Sequence, residues 1–131
     1  DAAPATKAAG TALLVDDEEA VRMSTADMLA ELGYEVVEAR SAEEALGLVN
    51  RGVHFDLLVT DHLMAGMTGV DLARAVRERR PEAPVLIVSG YAEAEGVAPD
   101  LPRLTKPFRL PELAASVAQL GSDGRLLSRE T

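Results

Sequence analysis

The sequence predicts an α/β fold, a doubly wound five-stranded parallel sheet with helices on both faces. Short aliphatic runs alternate with segments whose apolar residues repeat at helical spacing. Most of the aliphatic runs are apolar at consecutive positions, as in strands that helices cover on both sides. Because strand and helix patterns alternate five times, the connections should be right-handed crossovers within one sheet. A length of 131 residues suits one such domain.

The five predicted strands are short and separated by turn-forming residues. They are placed at residues 12–15, 36–39, 57–60, 85–88 and 103–105, and the last is the least apolar. Parallel sheets of this kind bind ligands at the carboxyl ends of their strands, near the point where the strand order reverses.

Four of the five predicted helices have clear apolar faces and boundaries. The first stops at Gly33, the second opens with a capping box from Ser41 to Glu44, the third ends before Pro81, and the last has Pro111 in its first turn. The apolar positions are Val21, Thr25, Met28, Leu29 and Leu32; Ala45, Leu46 and Val49; Val70, Ala73 and Val76; and Leu110, Leu113, Val117 and Leu120. The fourth helix should be short or irregular, because residues 91–102 contain Gly96, Pro99 and Pro102.

Composition and charge limit the classes of function. Residues 1–10 have linker composition, residues 11–120 form the predicted domain, and residues 121–131 are predicted to be a tail. The net charge of −9 argues against nucleic acid and anionic lipid as partners. The absence of cysteine excludes disulfides and thiolate metal sites. With no apolar stretch of membrane-spanning length and no signal peptide, we expect a cytoplasmic protein; a first residue other than Met suggests a segment of a longer polypeptide.

Five polar residues follow the predicted strands at their carboxyl ends. Asp16 and Asp17 follow the first strand, Asp61 the third, Ser89 the fourth and Lys106 the fifth. In the strand order 2-1-3-4-5 the third strand lies beside the first, so the three carboxylates should be neighbours. Their mutual repulsion would raise at least one pKa unless a divalent cation lies among them. Mg²⁺, which prefers oxygen ligands and shares phosphates, is the expected ion.

Four segments in this order resemble the receiver domains of bacterial two-component response regulators: "LLVDDEEAVR", "FDLLVTDHLMAGMTGVDLA", "PVLIVSGYA" and "KPF". The resemblance covers about residues 11–120 and implies a flavodoxin-like fold. It also implies a phospho-acceptor function. Such domains take a phosphoryl group from a phosphohistidine of a histidine kinase or a histidine phosphotransfer protein, with Mg²⁺, and then change their surface.

The resemblance assigns a role to each residue of the cluster. Asp61 would be the phospho-acceptor, Asp17 would bind Mg²⁺ directly, and Asp16 would bind it largely through water. The remaining assignments are a metal-ligating main-chain carbonyl at Leu63, phosphoryl binding by Ser89, Gly90 and Lys106, and a cis peptide bond at Pro107. Such a chain promotes its own phosphorylation and dephosphorylation, and we expect no enzyme activity on other substrates.

Two positions depart from the family pattern, and two other segments indicate the kind of protein to which the domain belongs. Ala65 stands where the family usually has proline, and Arg103 where it usually has an aromatic residue that relays the signal. The Ala/Pro-rich start and the "SGYA" segment resemble receivers joined to a hybrid sensor histidine kinase. That arrangement predicts a cytoplasmic domain tethered to a membrane sensor, a monomer or weak dimer without membrane contact of its own.

Three other functions compete with this interpretation. A degenerate receiver would bind partners without being phosphorylated, and the missing aromatic residue keeps that alternative open. A Mg²⁺-dependent phosphohydrolase with an aspartyl phosphate usually has a second acid two residues after its nucleophile, where this chain has Leu63. A flavodoxin-like cofactor binder is excluded, because the acidic stretch after the first strand would repel a phosphate. His54 and His62 are predicted to be loop residues without a catalytic role.

Overall fold

The computed structural model describes residues 10–90 and 101–130, with side chains described as far as residue 120. Its strands are β1 (Gly10–Val15), β2 (Tyr34–Ala39), β3 (Leu57–Asp61), β4 (Val85–Ser89) and β5 (Arg103–Thr105). Its described helices are α1 (Glu19–Glu31), α2 (Ala42–Asn50), α3 (Gly69–Arg79) and α4 (Leu110–Glu130). The predicted short helix at residues 91–102 lies almost wholly outside the described residues, as does the predicted linker apart from Gly10.

The strands form one parallel sheet in the order β2-β1-β3-β4-β5, which confirms the predicted fold. At the carboxyl edge, Val15 pairs with Thr60, and Asp61 pairs with Val88. This register brings the ends of β1, β3 and β4 to one level. Residues that follow these strands therefore emerge side by side at the same edge.

The sheet is covered on both faces, and each face has its own apolar core. Leu13, Leu58 and Leu72 belong to the core beneath α2 and α3. Leu14 and Leu29 belong to the core beneath α1 and α4. Adjacent residues of β1 thus point to opposite faces of the sheet. This one strand therefore supplies apolar side chains to both cores.

Local side chains define where the helices begin. Ser41 Oγ accepts the N–H of Glu44 at 3.0 Å and caps α2, as the predicted capping box requires. The carboxylate of Glu44 accepts the N–H of Arg40 at 2.7 Å, one residue before the position expected for its partner. Thr68 Oγ1 caps α3 by accepting the N–H of Asp71 at 3.1 Å.

Two features differ from the sequence prediction. The helix α4 runs to Glu130 and so includes most of the segment predicted as a tail. The most buried face of α1 consists of Arg22, Thr25, Ala26 and Leu29, whereas Val21 is only half-buried. Among the described residues, the structure contains no helix whose length and apolar character would let it cross a membrane.

Two residues of α1 test the assignment of its buried face. Leu29 is 0% exposed and Met23 is 54% exposed. We expect Leu29→Ala to lower the free energy of unfolding by about 2–5 kcal/mol, because it leaves a cavity in the core. Met23→Ala should change it by less than about 0.5 kcal/mol. Urea unfolding of both variants measures the difference, and equal losses would contradict the packing described.

Candidate functional site

Three carboxylates meet where β1 and β3 end. One oxygen from each of Asp16, Asp17 and Asp61 lies within 4.8 Å of the other two. Asp16 and Asp61 are 4% and 6% exposed, whereas Asp17 faces solvent. The cluster is therefore buried on its inner side and open on the side of Asp17, where a ligand and water could enter.

Asp16 is oriented through three separate hydrogen bonds. Its N–H donates to the carbonyl of Ala39 at 3.2 Å, and its Oδ1 accepts the N–H of Glu18 at 2.9 Å. Its carbonyl accepts from Nη1 of Arg22 at 3.0 Å. Backbone and side chain are thus both fixed before any ligand arrives.

Arg22, which donates to the carbonyl of Asp16, helps to fix the position of that residue. No role was predicted from the sequence for Arg22. It is 8% exposed, and its Nε lies 2.9 Å from Oε1 of Glu38 on β2. A buried guanidinium needs such partners, because an unpaired buried charge is strongly destabilising. One signal was available in the sequence: Arg22 shares a helical face with Ala26 and Leu29, at spacings of four and seven residues.

Lys106 reaches the carboxylate of Asp61 from the end of β5, two strands away from β3. Its Nζ lies 2.8 Å from Oδ1 of Asp61, with both side chains largely buried. The N–H of Lys106 donates to the carbonyl of Ser89 at 2.8 Å, which anchors the loop after β5. The peptide bond between Lys106 and Pro107 is cis. The ammonium of Lys106 therefore contacts the carboxylate of Asp61, the residue predicted to be the nucleophile.

Ser89 ends β4 on the other side of β3. It is 0% exposed, and its Oγ has no hydrogen-bond partner among the described residues. Leaving a buried hydroxyl unsatisfied costs free energy, so this donor suits a ligand oxygen. Gly90 follows directly and is half-buried.

The segment between β3 and α3, residues 62–68, is called here the acceptor loop. At its start, His62 is 6% exposed, which is more buried than a typical loop imidazole, and its Nδ1 has no hydrogen-bond partner in the described part of the chain. The side chain of Leu63 is 54% exposed beside the site. At the end of the loop, Gly69 donates its N–H to the carbonyl of His62 at 2.8 Å. A Cβ at Gly69 would collide with the carbonyl oxygen of Asp61, so α3 can begin this close to Asp61 only with glycine there.

Burial dominates the electrostatics of Asp16. Burial raises the pKa of its carboxyl above the ordinary 3.8, and the nearby carboxylates of Asp17 and Glu18 raise it further. The hydrogen bond from the Glu18 N–H and the charge of Lys106 act in the opposite direction but do not cancel the effect. The ionised form of Asp16 is therefore disfavoured when no cation is bound.

The donor set fits Mg²⁺. All the candidate ligand atoms are carboxylate oxygens, which hard cations prefer, and the open side leaves room for the water ligands that Mg²⁺ retains. Burial and the neighbouring carboxylate of Asp17 both disfavour the charged form of Asp16, and a divalent cation would stabilise that form.

The raised pKa of Asp16 predicts a pH-dependent effect of Asp16→Asn. Between pH 3.8 and the higher pKa of the folded state, the folded protein holds the proton more tightly than the unfolded chain. The contribution of Asp16 to stability therefore falls as the pH rises through this window and stays unfavourable above it. Asparagine does not titrate and keeps an oxygen to accept the N–H of Glu18.

The free energy of unfolding, measured in chelator, should therefore rise for Asp16→Asn relative to the unmodified chain as the pH is increased toward about 7. A difference between the two proteins that stays constant or shrinks with rising pH would contradict the electrostatic account.

Comparison with known proteins agrees with this geometry. Residues 12–118 match the family described as response regulator receiver domain. The sensor kinase CckA of Brucella abortus is 41% identical over 117 residues, which cover 84% of this chain. This chain spans only 12% of the length of that kinase.

Two solved structures share the fold. The receiver domain of the hybrid histidine kinase CckA has a TM-score of 0.71 at 36% identity, covering 85% of this chain and 98% of that one. The response regulator TrrA of Thermotoga maritima, solved with Mg²⁺-BeF, has a TM-score of 0.75 at 30% identity, with coverage of 85% and 98%. The fold, the cluster of carboxylates and the family match together show that this chain belongs to the response regulator receiver domains.

Proposed function

We propose that Asp61 is the phospho-acceptor of a two-component phosphorelay and takes its phosphoryl group from a phosphohistidine. The observation that carries the proposal is the position of Asp61, buried beside two further carboxylates with Nζ of Lys106 at 2.8 Å. A structural aspartate does not require this combination of crowded acids and a buried ammonium. A nucleophile that must approach an anionic phosphate does require it, because nearby cations must offset the repulsion between the two anions.

The proposed reaction is an in-line transfer between a nitrogen and an oxygen. A carboxylate oxygen of Asp61 attacks phosphorus, a new O–P bond forms, and the P–N bond to the donor imidazole breaks. The electron pair of that bond stays on the imidazole nitrogen, and a ring protonated on its other nitrogen leaves as neutral imidazole. The chain supplies position and charge rather than further covalent chemistry.

Lys106 and Ser89 act on the phosphoryl oxygens from the neighbouring strand ends. The ammonium of Lys106 offsets negative charge at Asp61 and would pair with one phosphoryl oxygen. The buried hydroxyl of Ser89 would donate to another, which would give its Oγ the hydrogen bond that the described residues do not provide. Gly90 continues this surface, and its lack of a side chain leaves space for the phosphoryl group.

Asp16, Asp17 and Asp61 are the proposed holders of Mg²⁺, together with the main-chain carbonyl of Leu63. When bound, Mg²⁺ would supply positive charge that, together with the ammonium of Lys106, offsets the negative charge of Asp61 and of the phosphoryl group. Asp17, the most exposed of the three carboxylates, is the proposed direct ligand, and the more buried Asp16 acts largely through water. The hydrogen bonds that orient Asp16 fix its direction for this role.

The proposed partners are a histidine kinase or a histidine phosphotransfer protein. The similarity to the sensor kinase CckA and to the receiver domain of a hybrid histidine kinase named CckA supports a place within a hybrid kinase system. In that setting the domain would lie on the cytoplasmic side of a membrane. The working unit would be residues 11–120, a monomer or weak dimer that does not bind nucleic acid. Arg103 is exposed on β5, so the surface change after phosphorylation would not use an aromatic residue at that position.

Covalent labelling tests the acceptor directly. Incubation with acetyl phosphate and Mg²⁺ should add one phosphoryl group per chain, detected by intact-protein mass and removed by hydroxylamine, which cleaves acyl phosphates. Asp61→Asn should abolish the label, and omission of Mg²⁺ should reduce it strongly. Asp56→Asn is the matched control, because Asp56 is an exposed carboxylate at the other end of β3.

Three outcomes would contradict the proposal. Undiminished labelling of Asp61→Asn would place the acceptor elsewhere. A complete lack of labelling in the unmodified chain would favour a degenerate receiver that binds partners without phosphorylation. Turnover of a free phosphate ester would instead indicate a phosphohydrolase.

A further inference from the structure

We propose that Glu43, in the first turn of α2, is a positioning residue for the metal site, because its carboxylate holds the acceptor loop in place. This inference deepens the proposed function and rests on it, since the loop carries Leu63, the proposed carbonyl ligand. Glu43 itself would touch neither the metal nor the phosphoryl group. Its effect would pass through the backbone of residues 62–68.

The first observation is a hydrogen bond across two elements. Oε2 of Glu43 accepts the N–H of Met67 at 3.1 Å. The acceptor loop also meets α2 in the apolar core, where Met64 of the loop belongs to the same cluster as Ala42 and Ala45 of α2. Glu43 therefore links the start of one helix to the loop that precedes the next.

The second observation is the close approach of the loop apex to this carboxylate. Gly66 has a φ of +84°, and a Cβ built on it would lie 2.7 Å from Oε2 of Glu43. The positive φ favours glycine at residue 66, and the backbone there lies close to the carboxylate of Glu43. The loop is fitted around the carboxylate at two consecutive residues, 66 and 67.

The third observation connects the loop to the metal site itself. The N–H of Ala65 donates to Oδ2 of Asp17 at 3.3 Å, a bond that a proline at this position could not make. Alternate loop amides, at residues 65 and 67, thus bind carboxylates from two different parts of the fold. A loop released from Glu43 would shift both Leu63 and the hydrogen bond to Asp17.

The helices themselves do not depend on Glu43. The side chain of Ser41 already caps α2, and the carboxylate of Glu44 binds the N–H of Arg40. The cap of α3 is Thr68. The side chain of Glu43 is exposed, so its removal leaves no cavity in the core.

Mg²⁺ titration of three variants by calorimetry, at constant ionic strength, tests the inference. Glu43→Ala removes the carboxylate that accepts the N–H of Met67. It should weaken Mg²⁺ binding about tenfold, which corresponds to the free energy of one charge-assisted hydrogen bond. Glu43→Gln keeps an oxygen that accepts the N–H of Met67, so its Kd should stay within about threefold of the unmodified chain. Glu31→Ala makes the same change of charge at the far end of α1 and should have almost no effect.

Hydrogen exchange in chelator supplies a readout that needs no metal. Glu43→Ala should speed exchange at the amide of Met67, while the amide of Asp71, which Thr68 holds, serves as the internal reference. Unchanged Mg²⁺ affinity in Glu43→Ala would overturn the inference. Equal weakening in Glu43→Ala and Glu43→Gln would also overturn it, because charge alone would then explain the effect. If the unmodified chain binds Mg²⁺ but takes no label from acetyl phosphate, the proposed function fails while the role of Glu43 in metal binding is still measured.

Discussion

Repulsion among carboxylates held at one edge of the sheet is the constraint on which the rest of this site depends. Oxygens of Asp16, Asp17 and Asp61 lie within 4.8 Å of one another, and two of these side chains are buried. Isolated in water, such groups would move apart. The fold prevents this, because the aspartates are attached to the ends of two hydrogen-bonded strands whose register is fixed. Burial raises the pKa of the Asp16 carboxyl, and the carboxylate of Asp17 raises it further. This crowding of acids supports the proposal that the site binds a divalent cation.

The parallel sheet explains how such a site can be both rigid and chemically varied. Adjacent strands deliver acids from β1 and β3, a hydroxyl from β4 and an ammonium from β5 to the same edge. The acids, the hydroxyl and the ammonium thus come from separate parts of the chain. Two surrounding residues complete the arrangement: Arg22 holds the carbonyl of Asp16 from below, and Glu43 holds the acceptor loop from the side. The proposed function would therefore depend on these supporting contacts as well as on the reacting groups.

Much of this could be predicted from the sequence, because the strong signals are local. Aliphatic runs define the strands, and the residues that follow them define the site; the reach of Lys106 to Asp61 then follows from strand order. The roles of Arg22 and Glu43 could not be predicted in this way. An arginine is usually exposed, and the burial of Arg22 depends on Glu38 from another element. The contact of Glu43 depends on how closely a distant loop approaches it. The extension of α4 past Gly121 was also missed, because glycine and serine there favour other conformations.

The dependence of thermal stability on Mg²⁺ tests the central claim most directly. If the three carboxylates form a cation site, Mg²⁺ at a hundred times its Kd should stabilise the folded chain by about 2.7 kcal/mol relative to chelator. Asp17→Asn should lose most of this stabilisation, and NaCl at matched ionic strength should not reproduce it. A melting temperature that responds to Mg²⁺ no more than to NaCl would contradict the account, because the crowded carboxylates would then be stable without the ion that the site is inferred to hold.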